Sequence, residues 1–261
     1  MASSFYIPDG EGFLSTEYTR GPWDRRYQHA GPPAALMARA IEHLDGGEDF
    51  SVSRFTVEVL RSIRVGPLTV QARFVRPGKR VQLAEAVLSD ENGEVALARA
   101  WRIRRGETQA EATALETPAF AGPADAAVNP EFDPWKGPSY FSAVEWRQAT
   151  GAFMIPGPSA TWMRMRVALV DGEEPSPLTR VLVAADSGNG ISMELSLATH
   201  VFINTELTVH LFTQPVGEWV CLDARTRIGR HGVGLATSIL YDASGRIGTG
   251  NQTLLVGPRA G

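Results

Sequence analysis

The chain has 261 residues, of which 43% are hydrophobic and 21% charged, and its formal net charge is −4. That length supports a sizeable core, as one large domain or two fused small ones, and the composition is that of a globular protein. The slight acidity gives no global basic field for nucleic acid or an anionic membrane, so neither is expected as a partner. Two local basic stretches, Arg76-Pro77-Gly78-Lys79-Arg80 and Arg102-Ile103-Arg104-Arg105, still suit a phosphorylated ligand.

Phe13 to Thr19 alternates and reads as a first strand, broken by Gly21-Pro22-Trp23. Ala34 to Leu44 is rich in Ala, Leu and Met, with Leu36, Ala40 and Leu44 on one stripe. Pro32 and Pro33 precede it, where the first helical turn needs no N–H. The spacing predicts a helix over about 32–44, ended by Asp45-Gly46-Gly47. Strands are predicted at 53–63, 68–76, 80–89 and 94–104, the last two joined through Asp90-Glu91-Asn92-Gly93, a turn whose Asn and Gly accept positive φ. Residues 106–137 are rich in Ala, Pro, Thr and Glu, lack a period and read as a linker. Phe141-Ser142-Ala143-Val144-Glu145 then resembles Phe13-Leu14-Ser15-Thr16-Glu17. An added strand is expected at 161–169, a helix from Pro177 to Asp186, and strands at about 198–213, 217–228, 232–242 and 246–256.

One pattern occurs twice. Leu88 to Val95 is echoed by Leu240 to Ile247 at an offset of 152, and the same offset pairs Thr56-Val57-Glu58-Val59 with Thr208-Val209-His210-Leu211. A long period repeated only twice points to a duplicated domain rather than a solenoid. A long helix wrapped by an antiparallel sheet, twice over, is the hotdog plan. The expected fold is therefore α+β, a double hotdog fused in one chain, with units at 1–105 and 138–261 around the linker at 106–137. Pairing the units side by side joins sheet edges that would otherwise stay open.

Several residues carry possible chemistry. Because Pro32 and Pro33 donate nothing, the N–H of Gly31 or Ala34 is left to meet an anionic oxygen at the positive end of the helix; the plainer reading is a helix-start turn. His29 either contacts a leaving group or caps that turn. Gln252 shares a face with Leu254 and Val256, and its counterpart at the 152 offset is Ala100. A Gln on an apolar face needs a hydrogen-bonding reason, at a site or to backbone. Glu206 alternates with Thr208 and His210 on one strand face, as a water-orienting carboxylate or as part of a solvated face.

Other features exclude chemistries. Cys221, the single cysteine, rules out an intrachain disulfide, fits a reducing compartment, and reads as core within Trp219-Val220-Cys221-Leu222. His200 and His210 lack metal-ligand spacing and no Gly-x-Ser-x-Gly elbow occurs, so neither a metal nor a serine triad is expected. The N-terminus lacks the basic start and apolar run of a signal peptide, and no apolar run spans a bilayer, so a cytoplasmic protein is expected.

Trp23 with Gln28-His29-Ala30-Gly31-Pro32-Pro33-Ala34-Ala35-Leu36, Arg76-Pro77-Gly78 with Val81-Gln82-Leu83, and Asn204-Thr205-Glu206-Leu207-Thr208-Val209-His210 with Gly217-Glu218-Trp219 and Gln252 resemble the double-hotdog acyl-CoA thioesterases of type II, the TesB-like group. The resemblance implies hydrolysis of a fatty acyl-CoA to free acid and CoA without a cofactor, through an Asp, a Thr and a Gln that hold the attacking water. Gln252 matches the Gln and Thr226 is the candidate Thr. Glu206 falls near the Asp position, with Asp186 and Asp223 as alternative carboxylates. Gly31 would polarise the carbonyl, and His29, Arg76 and Arg80, with Lys79, would contact acyl-CoA. Met37, Ile41 and Phe55 are candidates for an acyl tunnel and equally for core. The resemblance also makes a homodimer or larger homo-oligomer plausible. Two alternatives stand beside it: a hotdog enoyl-CoA hydratase or dehydratase, which would need an Asp/His pair, and a non-catalytic acyl-CoA-binding protein with a decayed site.

Overall fold

The computed structural model describes residues 4–259 apart from 108, 131 and 153. In chain order the elements are β1 (Ser4–Asp9), β2 (Gly12–Ser15), α1 (Gly31–Glu42), β3 (Phe50–Val59), β4 (Pro67–Arg76), β5 (Val81–Asp90) and β6 (Gly93–Arg104). Then come β7 (Ala127–Val128), α2 (Tyr140–Ala143), β8 (Val144–Thr150), β9 (Ser159–Met165), β10 (Ala168–Val170), α3 (Pro177–Ala185) and α4 (Gly188–Ile191). The chain closes with β11 (His200–Asn204), β12 (Glu206–Leu211), β13 (Val220–Ile228), β14 (Val233–Asp242) and β15 (Gly245–Pro258).

The strands form one sheet in the order β10-β1-β2-β4-β5-β6-β3-β12-β15-β14-β13-β9-β8-β7, with β11 beside β15. Neighbours are antiparallel except β1 and β10, which are parallel. The pairing of β3 with β12 joins the two halves into a double hotdog. The 152-residue repeat has a geometric counterpart here. Thr56 lies opposite Thr208, their hydroxyl oxygens 3.1 Å apart. On either side the pairs Arg54–His210 and Glu58–Glu206 are arranged symmetrically, so the pseudo-two-fold axis of the duplication passes between the two threonines.

Strand alternation decides which side is filled. On β12, Leu207 and Val209 are buried while Glu206, Thr208 and His210 take the outer face. The inner face packs on α1 and α3, which lie antiparallel against one another. Arg39 of α1 meets Glu173 ahead of α3 at 2.6 Å, and Ser176, the N-cap of α3, donates to Glu42 at 2.7 Å. At the other end the N-terminus of α1 therefore meets the C-terminus of α3. Leu36, Met37, Ile41 and Phe55 are almost fully buried in this core.

Several expected elements differ. β1 was not predicted: Ser4, Phe5 and Tyr6 are buried in succession, so the strand lacks the alternation that marks a half-exposed one. The strand expected at 198–213 breaks at Thr205, whose N–H bonds to Thr253 while its carbonyl accepts from Val59. That switch of partner lets β12, but not β11, bridge the halves. The strand expected at 161–169 divides into β9 and β10. The segment 106–137 carries β7, paired with β8. Of the basic stretch at 102–105, Arg102 is buried, its guanidinium 5.2 and 5.4 Å from the rings of Phe50 and Phe74.

Candidate active site

Where the two helix ends meet, polar side chains converge. Asp186 caps the C-terminus of α3, and its side chain is 3% exposed. Asn204, at the end of β11, donates to Asp186 Oδ1 at 2.9 Å. Gln252, on β15, donates from Nε2 to the Asp186 carbonyl at 3.0 Å and to Oδ1 at 3.2 Å. Its Oε1 accepts from the N–H of Asn189 in α4 at 3.0 Å. The Gln thus ties the sheet to both helices, which is the hydrogen-bonding reason its apolar face demands. Gly188 makes this approach possible, because a Cβ there would lie 2.9 Å from both Gln252 Oε1 and Ser238 Oγ.

His29 Nδ1 lies 3.0 Å from Asp186 Oδ2 and 3.2 Å from the Gly31 nitrogen. One ring nitrogen cannot serve both. A bare Nδ1 would set its lone pair against that of the carboxylate oxygen, so we assign the proton to Nδ1, donating to Asp186. Nε2 is then the lone-pair nitrogen, with no partner among the described residues. The ring is held by its surroundings. It stacks on Tyr140 at 3.7 Å and 7° between planes, and the His29 N–H donates to Thr19 at 2.7 Å. Burial pushes the Tyr140 phenol up, so it stays protonated and donates to the Val183 carbonyl at 2.7 Å.

With Nδ1 protonated, the Gly31 N–H, which points at that nitrogen, finds no acceptor there. Pro32 and Pro33 carry no N–H, and the Ala34 N–H is bonded to Ala30, leaving Gly31 as the donor at this helix end. Gly31 also sets the distance between helices: a Cβ there would lie 2.5 Å from the Val183 carbonyl oxygen.

A cavity of about 330 Å³ opens onto this cluster, walled by residues of both halves and of the segment between them. His29, Ala30, Asp186 and Asn189 form its polar corner, and most of the rest is apolar.

The other expected site residues are placed differently. Glu206 is not on the cavity wall. It lies on the outer face of β12 opposite Glu58, and its carboxylate accepts from the Thr253 N–H at 2.7 Å and from Thr208 at 3.0 Å. The carboxylate that meets Gln252 is Asp186, one of the two alternatives. The other, Asp223, whose carboxyl is pushed up by burial, lies on β13 away from the wall. Thr226 is buried behind α4, donating to Ser192 Oγ at 2.8 Å, while Ser192 donates to the Gly188 carbonyl. Gly31 and Gln252 lie just behind the wall rather than on it.

Arg76, Lys79 and Arg80 stand around the β4–β5 turn, at the wrong end of the strands. Along β6, Ala96 faces Val59 at the cavity end and Ile103 faces Val81 at the turn end, roughly 23 Å of strand apart. Met37, Ile41 and Phe55 are core and do not reach the cavity. Cys221 is buried and its thiol is pushed up by desolvation, which leaves no nucleophile there. Among the described residues no group of three or more His, Cys, Asp or Glu is arranged to hold a metal ion, and no helix is long and apolar enough to cross a membrane.

Sequence reasoning named Asp186 without ranking it first, carried Asn204 within a motif without giving it a role, and missed Tyr140.

Comparison with known proteins adds the following. Residues 19–103 match the model of the acyl-CoA thioesterase N-terminal domain, and residues 123–256 that of its C-terminal domain. A hot dog fold protein of unknown function from Alicyclobacillus acidocaldarius is 16% identical with TM-score 0.74, over 98% of this chain and 96% of that one. The tesB protein of Mycobacterium avium subs paratuberculosis is 11% identical with TM-score 0.69, over 97% and 96%. The acyl-CoA thioesterase II TesB2 of Mycobacterium marinum is 15% identical with TM-score 0.66, over 89% and 88%. At these identities the structures bear on the fold. No curated protein sequence matches the chain.

Proposed function

The chain belongs to the acyl-CoA thioesterase family, and from that premise we propose that it hydrolyses an acyl-CoA thioester to free acid and CoA by direct attack of water in the cavity. The observation that carries this reading is the His29–Asp186 contact at 3.0 Å on a largely apolar wall. With Nδ1–H committed to Asp186, Nε2 accepts a proton from water as its oxygen bonds to the thioester carbon. Asp186 stabilises the imidazolium that forms, and Gln252 and Asn204 hold Asp186 in register. Gly31, buried behind the wall, sets how closely α1 approaches α3 and so where His29 stands. Collapse of the tetrahedral intermediate breaks the C–S bond and expels the CoA thiolate, which takes the proton from His29. Thr226 and Glu206 have no part in this sequence; they brace α4 and the strand junction.

Exposed Arg64, joined by a β-bridge to Tyr27 of the wall, suits a CoA phosphate. Arg61, also at the wall, is already paired with Asp90 at 2.7 Å.

An Asp/His pair is also what a hydratase needs, so that reading keeps a specific observation in its favour. Hydration places the two groups on either side of the acyl α and β carbons. Here they bond to each other and act as one base, which favours hydrolysis. Incubation with an enoyl-CoA separates the two: release of free thiol supports hydrolysis, and loss of the enoyl-thioester absorbance without thiol supports hydration. Acyl-CoA binding with neither would support a binding protein.

A further inference from the structure

The walls of the cavity carry a preference among acyl groups. Of its 28 wall residues six are aromatic, Trp23, Tyr27, Phe132, Phe141, Trp146 and Phe202, in a chain that is 8% aromatic. Their arrangement is ordered. Trp23 meets Phe202 edge-on at 5.1 Å and 83°, and Phe132 meets Phe141 edge-on at 4.8 Å and 89°. Phe141 lies against Trp146 at 6.0 Å and 23°. This set reaches the reactive corner, because Tyr140, stacked on His29, is edge-on to both Phe141 and Trp146. A ring joining such a set completes offset or edge-to-face contacts that a flexible alkyl chain cannot make.

We propose that the acyl group this site takes is one bearing an aromatic ring, an aryl or arylalkanoyl thioester, seated among Trp23, Phe141, Trp146 and Phe202. The inference rests on the hydrolase reading and is tested so that the two fail separately. Thiol release is measured from phenylacetyl-CoA and from octanoyl-CoA, which has the same number of acyl carbons. The expected kcat/KM for phenylacetyl-CoA exceeds that for octanoyl-CoA by about tenfold. Phe202→Leu and Trp146→Leu are each expected to narrow the aryl-to-alkyl ratio at least threefold. Release from octanoyl-CoA as fast as or faster than from phenylacetyl-CoA would overturn the inference and leave the hydrolase reading standing. If no thioester releases thiol, the hydrolase reading falls, and quenching of tryptophan fluorescence by phenylacetate against octanoate judges the ring preference alone: tighter phenylacetate supports it, equal or weaker phenylacetate overturns it.

Discussion

Replacing Gly31 by Ala tests whether the site depends on how closely α1 approaches α3. The added Cβ would sit 2.5 Å from the Val183 carbonyl oxygen, a backbone atom with no rotamer to yield. An ordinary C···O contact is about 3.3 Å or more, so the N-terminus of α1 must retreat by roughly 0.8 Å. That retreat carries His29 away from Asp186. A displacement of about 1 Å at reacting groups costs on the order of 100-fold in rate. Overpacking of this kind destabilises by about 1–3 kcal/mol. The expected outcome is a kcat/KM for thiol release lowered about 100-fold and a Tm lowered by a few degrees. Gly122→Ala, where a Cβ meets nothing within 4 Å, is the control for composition. A Gly31→Ala protein with activity within twofold of wild type would refute the argument that this contact sets the geometry.

Three further outcomes follow from the placement of individual groups. Glu206→Gln keeps the shape of an outer-face side chain and is expected to leave kcat/KM within about threefold; a loss of 100-fold would return Glu206 to the reaction. Thr226→Val removes a buried hydroxyl that holds Ser192, and is expected to lower stability by about 1 kcal/mol, seen as roughly 2–4 °C in Tm, with kcat changed far less than by any change at His29. Arg64→Glu, beside Tyr27 of the wall, should raise KM for CoA thioesters with kcat nearly unchanged, and the effect should shrink as salt is added, whereas the same reversals at Arg76 and Arg80 should leave KM alone.

The fold was legible because its signals are local and repeated. The helix of Ala, Leu and Met after two prolines, the Asn-Gly hairpin and the echo at 152 residues all report on short-range geometry. The echo carried more than the domain plan, since Thr56 and Thr208 proved to be cross-strand partners at the seam. β1 was missed because a strand buried on both faces looks like any short apolar run. Within the site, Gln252 stood out because a polar residue on an apolar face demands a partner. Its partner did not, since Asp186 lies 66 residues away and reaches it only through the stacking of helix on sheet. Glu206 was preferred on its place in a motif, yet its own strand alternation assigns it to the outer face. Where motif position and alternation conflict, alternation decides, because it fixes which side of the sheet a side chain leaves from. The link from His29 to Asp186 joins the two helix ends and has no sequence signature.

The account turns on one contact, and Asp186→Asn addresses it with little change in shape. Asn keeps a hydrogen-bond acceptor but loses the charge that stabilises a protonated His29. Thiol release from the best acyl-CoA substrate should fall at least 100-fold in kcat with the fold and Tm nearly intact. Wild-type turnover by Asp186→Asn would contradict the His29–Asp186 base and with it the proposed mechanism.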